Sequence, residues 1–239
     1  MAEMAPSNCF RNHHMFQIAY AQTAESSSRG ASEGYSADKM LTTSMNIVVA
    51  IAALVFLLPV MLLVAMAIYA QDGGPILFAH RRIGLNGRYF HCLKFRSMAI
   101  DAEARLAALL ASDPAARAEW QQDHKLRCDP RVTRLGAFLR KTSLDELPQF
   151  LNVLRGDMSI VGPRPIVEAE VAKYGRRFRD YCAVKPGITG LWQVSGRSDT
   201  SYRTRVALDC IYARHRSFGL DAYIIACTVP AVLARRGSY

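Results

Sequence analysis

An uncharged stretch from Ile47 to Ile68 constrains this chain more than any other feature, and Pro59 lies near its middle. A helix needs ~20 apolar residues to cross a hydrocarbon core about 30 Å thick, so the stretch is long enough for one crossing. Proline removes a backbone donor and its ring clashes with the preceding turn, which predicts a kink near Leu58. The halves of ~10 residues are each too short to cross. The stretch is therefore a kinked single-pass helix or a segment that enters and leaves the same leaflet. A buried helix of a soluble core is a further alternative, although it would be unusually long and uniformly apolar.

The chain is also strongly basic, with a formal net charge of +10 and a pI of about 9.6. This charge predicts an acidic partner, which could be nucleic acid, an anionic leaflet or a small phosphorylated substrate. The apolar stretch indicates attachment to a bilayer, which favours the last two. The positive-inside rule then places residues 80–239 on the cytoplasmic face of the membrane. We find no helix-turn-helix, zinc or aromatic-interleaved basic motif that would indicate a nucleic-acid partner.

The patterns along the chain predict a mixed α+β fold that is mostly helical. Residues 1–38 are rich in Ser, Ala and Gly and are predicted to form a disordered tail. A re-entrant or kinked membrane helix is expected over residues 45–70, followed by a cytoplasmic domain over residues 71–239. In that domain, two β-like runs flank an Asn-Gly pair and predict a hairpin. Amphipathic helices are predicted over residues 101–122, 132–154, 166–181, 200–216 and 220–235.

The candidate chemistry lies in the phrase TSLDELP, which contains the acidic pair Asp145 and Glu146. A structural interpretation is available, because Ser143 followed three residues later by Glu146 has the spacing of a capping box. The pair lies, however, in a chain rich in cations. The basic candidates are Lys94 and Arg96 in KFRSM, Arg140, Lys141, Arg155, Arg164 in GPRP, Lys185 and Arg197. Prolines on both sides of Arg164 fix its backbone, which suits bidentate binding of phosphate.

Carboxylates near several cations also indicate Mg²⁺ bridged to phosphate oxygens. Mg²⁺ typically takes one or two carboxylates and fills its other positions with water and phosphate. An ionised Asp can attack phosphorus once metal and arginine neutralise the phosphate charge that would repel it. Successive helical residues point about 100° apart, so Asp145 and Glu146 can serve different roles at one site.

Three phrases, KFRSM, LRKTSLDELPQFLNVLRGDMSIVGPRP and KPGITGLWQVSGR, resemble the bacterial sugar transferases, the monotopic polyprenyl-phosphate phosphoglycosyl transferases. The resemblance runs from about residue 45 to the C-terminus, with the motifs in the family's order. The flanking phrases DGGPILFAHRRIGLNGR and SDTSYRTRVALD, and the ending RRGSY, are most similar to undecaprenyl-phosphate galactose phosphotransferases of exopolysaccharide production. Relatives that transfer glucose phosphate look alike, so the donor is either UDP-galactose or UDP-glucose.

The resemblance implies a two-step mechanism in which Asp145 attacks the β-phosphate of the UDP-sugar and expels UMP. Undecaprenyl phosphate then attacks the aspartyl phospho-sugar. Glu146 matches the Mg²⁺-associated carboxylate, with Asp145 beside it in the metal site. Lys94, Arg140 and Arg164 match positions that contact phosphate or support the site, and we assign Arg197 to the nucleotide diphosphate. The family also implies a helix that breaks at a proline, so the resemblance decides between the two topologies in favour of re-entrance at Pro59.

Two departures from the family concern the membrane segment. Leu58 stands where the family usually has Ser, and Thr42, Thr43 and Asn46 stand where a basic pair and an Asp usually open the helix. The main rival function is an inactive scaffold, tethered to the membrane within a polysaccharide assembly complex. Such a scaffold would not need an intact Asp145-Glu146 pair. The sequence leaves open whether the chain forms a homo-oligomer at the bacterial inner membrane.

Overall fold

The computed structural model describes residues 31–123, 126, 128–195 and 201–233. The chain divides into two compact units, residues 1–41 and 42–239. Most of the predicted tail, residues 1–30, lies outside the described residues, as do Arg197 and the ending RRGSY. The first described element is helical from Ala31 onward, so the helix begins well before the predicted start at residue 45.

Helix α1 (Ala31–Asp72) contains the apolar stretch, and its helical assignment continues through Pro59. Among the described residues, it is the one helix long and apolar enough to cross a membrane, by length and composition. Buried side chains occur at the two ends of the stretch, at Ala50 on one side and at Val64 and Ile68 on the other. Between them the helix is largely uncovered, and Phe56 is 83% exposed. This middle segment has the character of a lipid-facing surface.

The predicted hairpin is present as strands β1 (Leu77–Ile83) and β2 (Tyr89–Phe95), which pair antiparallel with Ile83 opposite Tyr89. The turn between them has a positive φ at Asn86 and at Gly87, conformations that these two residue types tolerate. Successive side chains of a strand point to opposite faces. The hairpin therefore presents Arg82 and Lys94 on one face and Arg81 on the other.

Helices make up most of the remaining chain, which confirms a mostly helical mixed fold. They are α2 (Ala102–Ser112), α3 (Pro114–Asp123), α4 (Arg134–Thr142), α5 (Gln149–Leu154), α6 (Val171–Tyr174), α7 (Phe178–Cys182), α8 (Leu191–Ser195), α9 (Tyr202–His215) and α10 (Phe218–Leu233). Short 3₁₀ turns cover Leu85–Gly87, Leu144–Glu146, Glu168–Glu170 and Gly175–Arg177. The predicted break at Pro114 is where α3 begins.

The single helix predicted over residues 132–154 is wrong, because the structure divides it into α4 and α5. Ser143 adopts a left-handed conformation with φ of 57° and ends α4. The 3₁₀ turn Leu144–Glu146 follows at once. A left-handed conformation costs a residue other than glycine about 1–2 kcal/mol. The break carries the acidic pair on a separate short turn rather than inside a long helix.

A second sheet was not predicted. It consists of β3 (Ser159–Val161) and β4 (Gly187–Thr189), which run parallel. Strands of three residues are too short to show a periodic pattern in sequence. Gly187 lies so close to the other chain segment that a Cβ atom there would be 2.1 Å from the backbone nitrogen of Gly162. This approach places the GPRP loop directly beside the PGITG segment.

Asn152 in α5 joins the hairpin to the helical part of the domain. Its side chain is fully buried. It accepts a hydrogen bond from the backbone nitrogen of Leu93 at 2.9 Å, and it donates one to the carbonyl oxygen of His91 at 2.8 Å. Buried polar side chains that are fully bonded fix one arrangement of their neighbours. Asn152 thereby fixes the strand that carries Lys94 relative to the chain that carries the acidic pair.

A buried carboxyl group in α9 gives the fold a testable dependence on pH. Asp209 is 2% exposed and accepts a hydrogen bond from the hydroxyl of Tyr174 at 2.7 Å. Burial raises the pKa of Asp209 to about 7, although the bond from Tyr174 opposes the change. The folded state therefore binds a proton that the unfolded state releases near pH 4. Stability from this group is lost as pH rises towards 7, by up to ~4 kcal/mol.

We expect Asp209→Asn to remove this loss, because asparagine stays neutral and its oxygen can still accept from Tyr174. The thermal midpoints of the variant and of the wild type are measured in detergent at both pH values. The midpoint of the variant minus that of the wild type should be larger at pH 8.5 than at pH 5. Asp101→Asn, at an exposed carboxylate paired with Arg105, is the control. A midpoint difference that does not change with pH would contradict the raised pKa.

Candidate active site

Lys94 in β2 lies between the two carboxylates of the acidic pair. Its Nζ is 2.7 Å from Oε1 of Glu146 and 3.9 Å from Oδ2 of Asp145. The strand delivers Lys94 from one side and the 3₁₀ turn delivers both acids from the other. All three residues were predicted from the sequence as site residues, and the structure brings them together.

The capping-box interpretation of Ser143 and Glu146 is wrong. The Ser143 side chain makes no capping hydrogen bond, and its backbone is left-handed instead of extended. A capping glutamate would bond back to the backbone nitrogen of the capping residue. The Glu146 carboxylate accepts from Lys94 instead. Its placement is explained by the charges around it and not by helix initiation.

The two carboxyl groups differ in their tendency to ionise. Asp145 is 7% exposed, and this burial raises its pKa, although Lys94, Arg140 and Arg164 oppose the change. Burial also disfavours ionisation of Glu146, but Lys94 and Arg164 outweigh it and hold the pKa of Glu146 below its ordinary value. Glu146 is therefore firmly anionic, and Asp145 is a desolvated carboxylate surrounded by cations. Desolvation makes an anion a stronger nucleophile, because less water must be removed before it attacks.

Arg164 approaches the acidic pair from the loop after β3. Its Nη2 is 3.8 Å from Oε1 of Glu146, and its side chain is 46% exposed. The carbonyl oxygen of Pro163 accepts a hydrogen bond from the nitrogen of Gly187 at 2.8 Å, which ties the loop to β4. Arg164 thus combines a fixed backbone with a guanidinium that solutes can reach.

Arg140 lies in the last turn of α4 and interacts electrostatically with Asp145. Its Nε donates to Oγ of Ser97 at 2.9 Å. Burial lowers the pKa of Arg140, and the charge of Asp145 opposes that change. The helix can come this close because Gly136 has no side chain; a Cβ atom there would lie 1.9 Å from the carbonyl oxygen of Ser97. The charge of Arg140 favours the ionised form of Asp145.

Lys94, Glu146 and Arg164 line a narrow cleft, whereas Asp145 lies beside Lys94 and is not part of the lining. The cleft also contains Arg82, which was not predicted as a site residue. The cleft is lined by Arg82, Cys92, Lys94, Glu146, Gln149, Arg164, Pro165, Gly187 and Ile188. Arg82 follows Arg81 in β1. Because both are arginines, residue type alone did not distinguish Arg82 as a site residue. Strand alternation together with the pairing register, in which Phe78 lies opposite Lys94, places Arg82 on the same face as Lys94. The lining holds three cations and one carboxylate, which suits a ligand with two or more negative charges.

The comparisons with known proteins agree with this chemistry. Residues 37–235 match the family described as bacterial sugar transferase. The chain belongs to the bacterial sugar transferase family. It is 48% identical over 201 residues to a UDP-galactose-lipid carrier transferase of Erwinia amylovora, covering 84% of this chain and 42% of that protein. It is also 48% identical over 200 residues to the exopolysaccharide production protein ExoY of Rhizobium meliloti, covering 84% of this chain and 88% of the relative.

A third relative carries a different sugar in its name. The chain is 39% identical over 200 residues to a UDP-glucose:undecaprenyl-phosphate glucose-1-phosphate transferase of Xanthomonas campestris, covering 80% of this chain and 38% of that protein. This sugar transferase thus spans about two fifths of the length of the Erwinia and Xanthomonas relatives and most of the length of ExoY.

Three further residues of the sequence motifs have structural partners in this sugar transferase. Arg96 is buried and forms an ion pair with Asp72 at the end of α1. The Asp157 carboxylate accepts a hydrogen bond from Nδ2 of Asn152 at 3.1 Å. Trp192 is buried, and the guanidinium carbon of Arg205 lies 4.7 Å from its ring centroid. These contacts give each of the three residues a structural role in the fold.

The acidic pair fits a Mg²⁺ ion only in part. Asp145 and Glu146 offer the hard oxygen ligands that Mg²⁺ prefers. Among the described residues, no group of three or more His, Cys, Asp or Glu side chains is placed to hold a metal. The residues therefore suit an ion that takes its remaining ligands from phosphate and water, and they do not form a complete protein cage.

Proposed function

We propose that this sugar transferase moves a hexose 1-phosphate, galactose or glucose, from a UDP-sugar to undecaprenyl phosphate and so starts an exopolysaccharide repeat unit. The observation that carries the proposal is the desolvated Asp145 beside an ionised Glu146, with Lys94 between them and Arg164 at the cleft. A phosphate entering the cleft would meet Lys94 and Arg164 in the lining, and Asp145 lies next to Lys94. The names of the relatives supply the substrate classes.

In the first step, a carboxylate oxygen of Asp145 forms a bond to the phosphorus that carries the sugar. The bond from that phosphorus to the oxygen bridging the two phosphates breaks, and UMP leaves with the electron pair. In the second step, a phosphate oxygen of undecaprenyl phosphate attacks the same phosphorus. The bond to Asp145 breaks, which regenerates its carboxylate and leaves a diphosphate-linked sugar.

The cations make this attack feasible by neutralising the phosphate oxygens. Lys94 and Arg164 line the cleft, and the charge of Arg140 compensates that of Asp145. Charge on the transferred phosphoryl group is spread over its equatorial oxygens, so fixed positive groups around it stabilise the transition state. Mg²⁺ held by Asp145 and Glu146 together with phosphate oxygens would supply further positive charge when bound. We also propose that Arg197, which lies outside the described residues, binds the nucleotide diphosphate.

The test is release of UMP from a panel of UDP-sugars by the purified full chain with undecaprenyl phosphate and Mg²⁺. We expect UMP and a lipid-linked sugar in equal amounts with UDP-galactose or UDP-glucose. Absence of UMP with every donor would overturn the proposal and favour the inactive scaffold.

We also propose that α1 is re-entrant and holds the domain on the cytoplasmic face of the inner membrane. Both ends of its apolar stretch contact the same domain. Oδ1 of Asn46 accepts hydrogen bonds from Oγ of Ser159 at 3.2 Å and from the nitrogen of Ile160 at 3.0 Å. At the other end, Val64 and Ile68 pack in one cluster with Phe95 and Leu139. A helix that crossed the bilayer would bring only one end to a domain on one side.

The uncovered part of the helix is also too short to cross. Between Ala50 and Val64, which are both buried, lie about 13 residues, or ~20 Å of helix. A hydrocarbon core of about 30 Å needs ~20 residues. Pro59 lies in this uncovered part, where it weakens the helix by removing one backbone hydrogen bond. The basic charge of the domain supports the cytoplasmic side.

Thiol labelling tests this topology. In a variant without its native cysteines, we expect Ser44→Cys and Gln71→Cys, both at exposed positions, to react with an impermeant reagent only from the cytoplasmic side. Adding Pro59→Leu restores the missing donor and should move part of the Ser44→Cys population to the periplasmic side. Periplasmic labelling of Ser44→Cys without the Pro59 change would refute re-entrance and restore the kinked single-pass helix.

A further inference from the structure

Arg82 makes its closest contacts with protein groups rather than with the open part of the cleft. Its side chain is 17% exposed. Nη1 donates to the carbonyl oxygen of Pro165 at 3.1 Å and is 3.7 Å from Oε2 of Glu170. Nη2 lies 3.2 Å from Nδ1 of His80. The guanidinium is therefore fixed, and one of its bonds goes to the residue that follows Arg164.

The next residues along each chain segment reinforce this junction. The nitrogen of Ile83 donates to the carbonyl oxygen of Ile166 at 3.0 Å. The hydroxyl of Tyr181 bridges the same pair, donating to the carbonyl oxygen of Ile83 at 2.6 Å and accepting from the nitrogen of Ile166 at 3.2 Å. The end of β1 and the loop after Arg164 are thus joined at adjacent residues. We call this set of contacts the β1 clamp.

The β1 clamp completes the restraint on Arg164. Upstream, the carbonyl oxygen of Pro163 is held by the nitrogen of Gly187 in β4. Downstream, Arg82 holds the carbonyl oxygen of Pro165. Burial lowers the pKa of Arg82, and the nearby charge of Arg164 acts in the same direction. Two guanidinium groups are therefore kept near each other against their repulsion, which requires fixed partners for at least one of them.

We propose that Arg82 is a positioning residue for Arg164, which it holds in place through the carbonyl oxygen of Pro165. The proposal rests on the proposed function, in which Arg164 neutralises a substrate phosphate. The alternative is that Arg82 binds phosphate itself, as a third independent cation of the cleft. The two differ in a measurable way, because a residue that acts through Arg164 loses its influence when Arg164 is removed.

A double-mutant cycle separates these roles. UMP release would be measured for the wild type, Arg82→Gln, Arg164→Gln and the double variant, each as kcat and KM for the donor. We expect Arg82→Gln to lower kcat/KM ~10-fold, and Arg164→Gln to lower it ~100-fold. The double variant should match Arg164→Gln within ~2-fold, since coupled residues are not additive. Effects that multiply, to ~1,000-fold, would overturn the positioning role, and so would a normal rate for Arg82→Gln.

Two further variants guard against a general loss of folding. Arg82→Lys keeps the charge but has one donor nitrogen in place of three, so its kcat/KM should lie between those of the wild type and Arg82→Gln. Arg81→Gln is the matched control, because Arg81 is exposed on the opposite face and stacks on Tyr89 at 3.8 Å from the ring centroid. It should keep the wild-type kcat/KM. A loss equal to that of Arg82→Gln would show that any change in this strand is harmful and would overturn the proposal.

A second readout does not depend on activity. Hydrogen exchange, followed by mass spectrometry of peptides covering residues 162–170, should be faster in Arg82→Gln than in the wild type, because the bond to Pro165 holds this loop. Arg81→Gln should leave the exchange unchanged. Unchanged exchange in Arg82→Gln would overturn the β1 clamp even if the enzyme were active. Faster exchange in a chain that releases no UMP would leave the clamp in place and refute the proposed function alone.

Discussion

Replacing Asp145 by asparagine should abolish covalent labelling of the protein and reduce turnover by at least ~10³-fold. The wild type, incubated with a UDP-sugar and Mg²⁺ but without lipid, should gain the mass of one hexose phosphate. The asparagine side chain has the same shape as the carboxylate but no negative charge, so it cannot form the bond to phosphorus. Intact-protein mass spectrometry measures the adduct, and UMP release measures the turnover.

The control is Asp101→Asn, which removes an exposed carboxylate at the start of α2 and should leave both measurements unchanged. Because burial raises the pKa of Asp145, the neutral variant should also fold at least as well as the wild type. A variant at Asp145 that turned over normally would show that another group is the nucleophile. A wild type without adduct or turnover would favour the inactive scaffold instead.

Much of the fold could be predicted because its signals are local. The hairpin follows from an Asn-Gly pair between two apolar runs, and the start of α3 follows from Pro114. The break at Ser143 could not be predicted, because serine has no preference for a left-handed backbone. The surrounding structure imposes that conformation. The same break explains why a capping-box pattern was present in the sequence without a capping box in the structure.

The candidate site also contains residues that could be predicted from the sequence and one that could not. Asp145, Glu146 and Arg164 stood out because their residue types and neighbours suit phosphate chemistry, and the family resemblance selected Lys94 from the other basic candidates. The structure brings the four together. Arg82 did not stand out, because Arg81 beside it has the same side chain. The difference between the two arises from strand alternation and from the carbonyl oxygen of Pro165, which is distant in sequence. Tertiary contacts of this kind have no signature in a single sequence.

Arg164 should prove almost as sensitive to lysine as to alanine. Removing a charge contact made in the transition state typically costs ~3 kcal/mol, or about 10²-fold in rate. We expect Arg164→Ala to lower kcat/KM for the UDP-sugar by at least that factor. Lysine keeps the charge but presents a single ammonium in place of a planar fork. Prolines on both sides and the bond from Gly187 to Pro163 prevent the backbone from moving to compensate.

The first chemical step gives the most direct comparison of Arg164→Lys with Arg164→Ala, because it does not depend on the lipid substrate. Formation of the phospho-sugar adduct, followed in single-turnover experiments, should be slowed by a similar factor in Arg164→Lys and Arg164→Ala. Arg155→Ala, at an exposed arginine just after α5, is the matched control and should react like the wild type. If Arg164→Lys formed the adduct at nearly the normal rate, Arg164 would act as a simple point charge and bidentate binding of phosphate would be wrong. Equal, severe losses would instead mean that the rigid GPRP loop serves to fix the direction of the guanidinium as well as its charge.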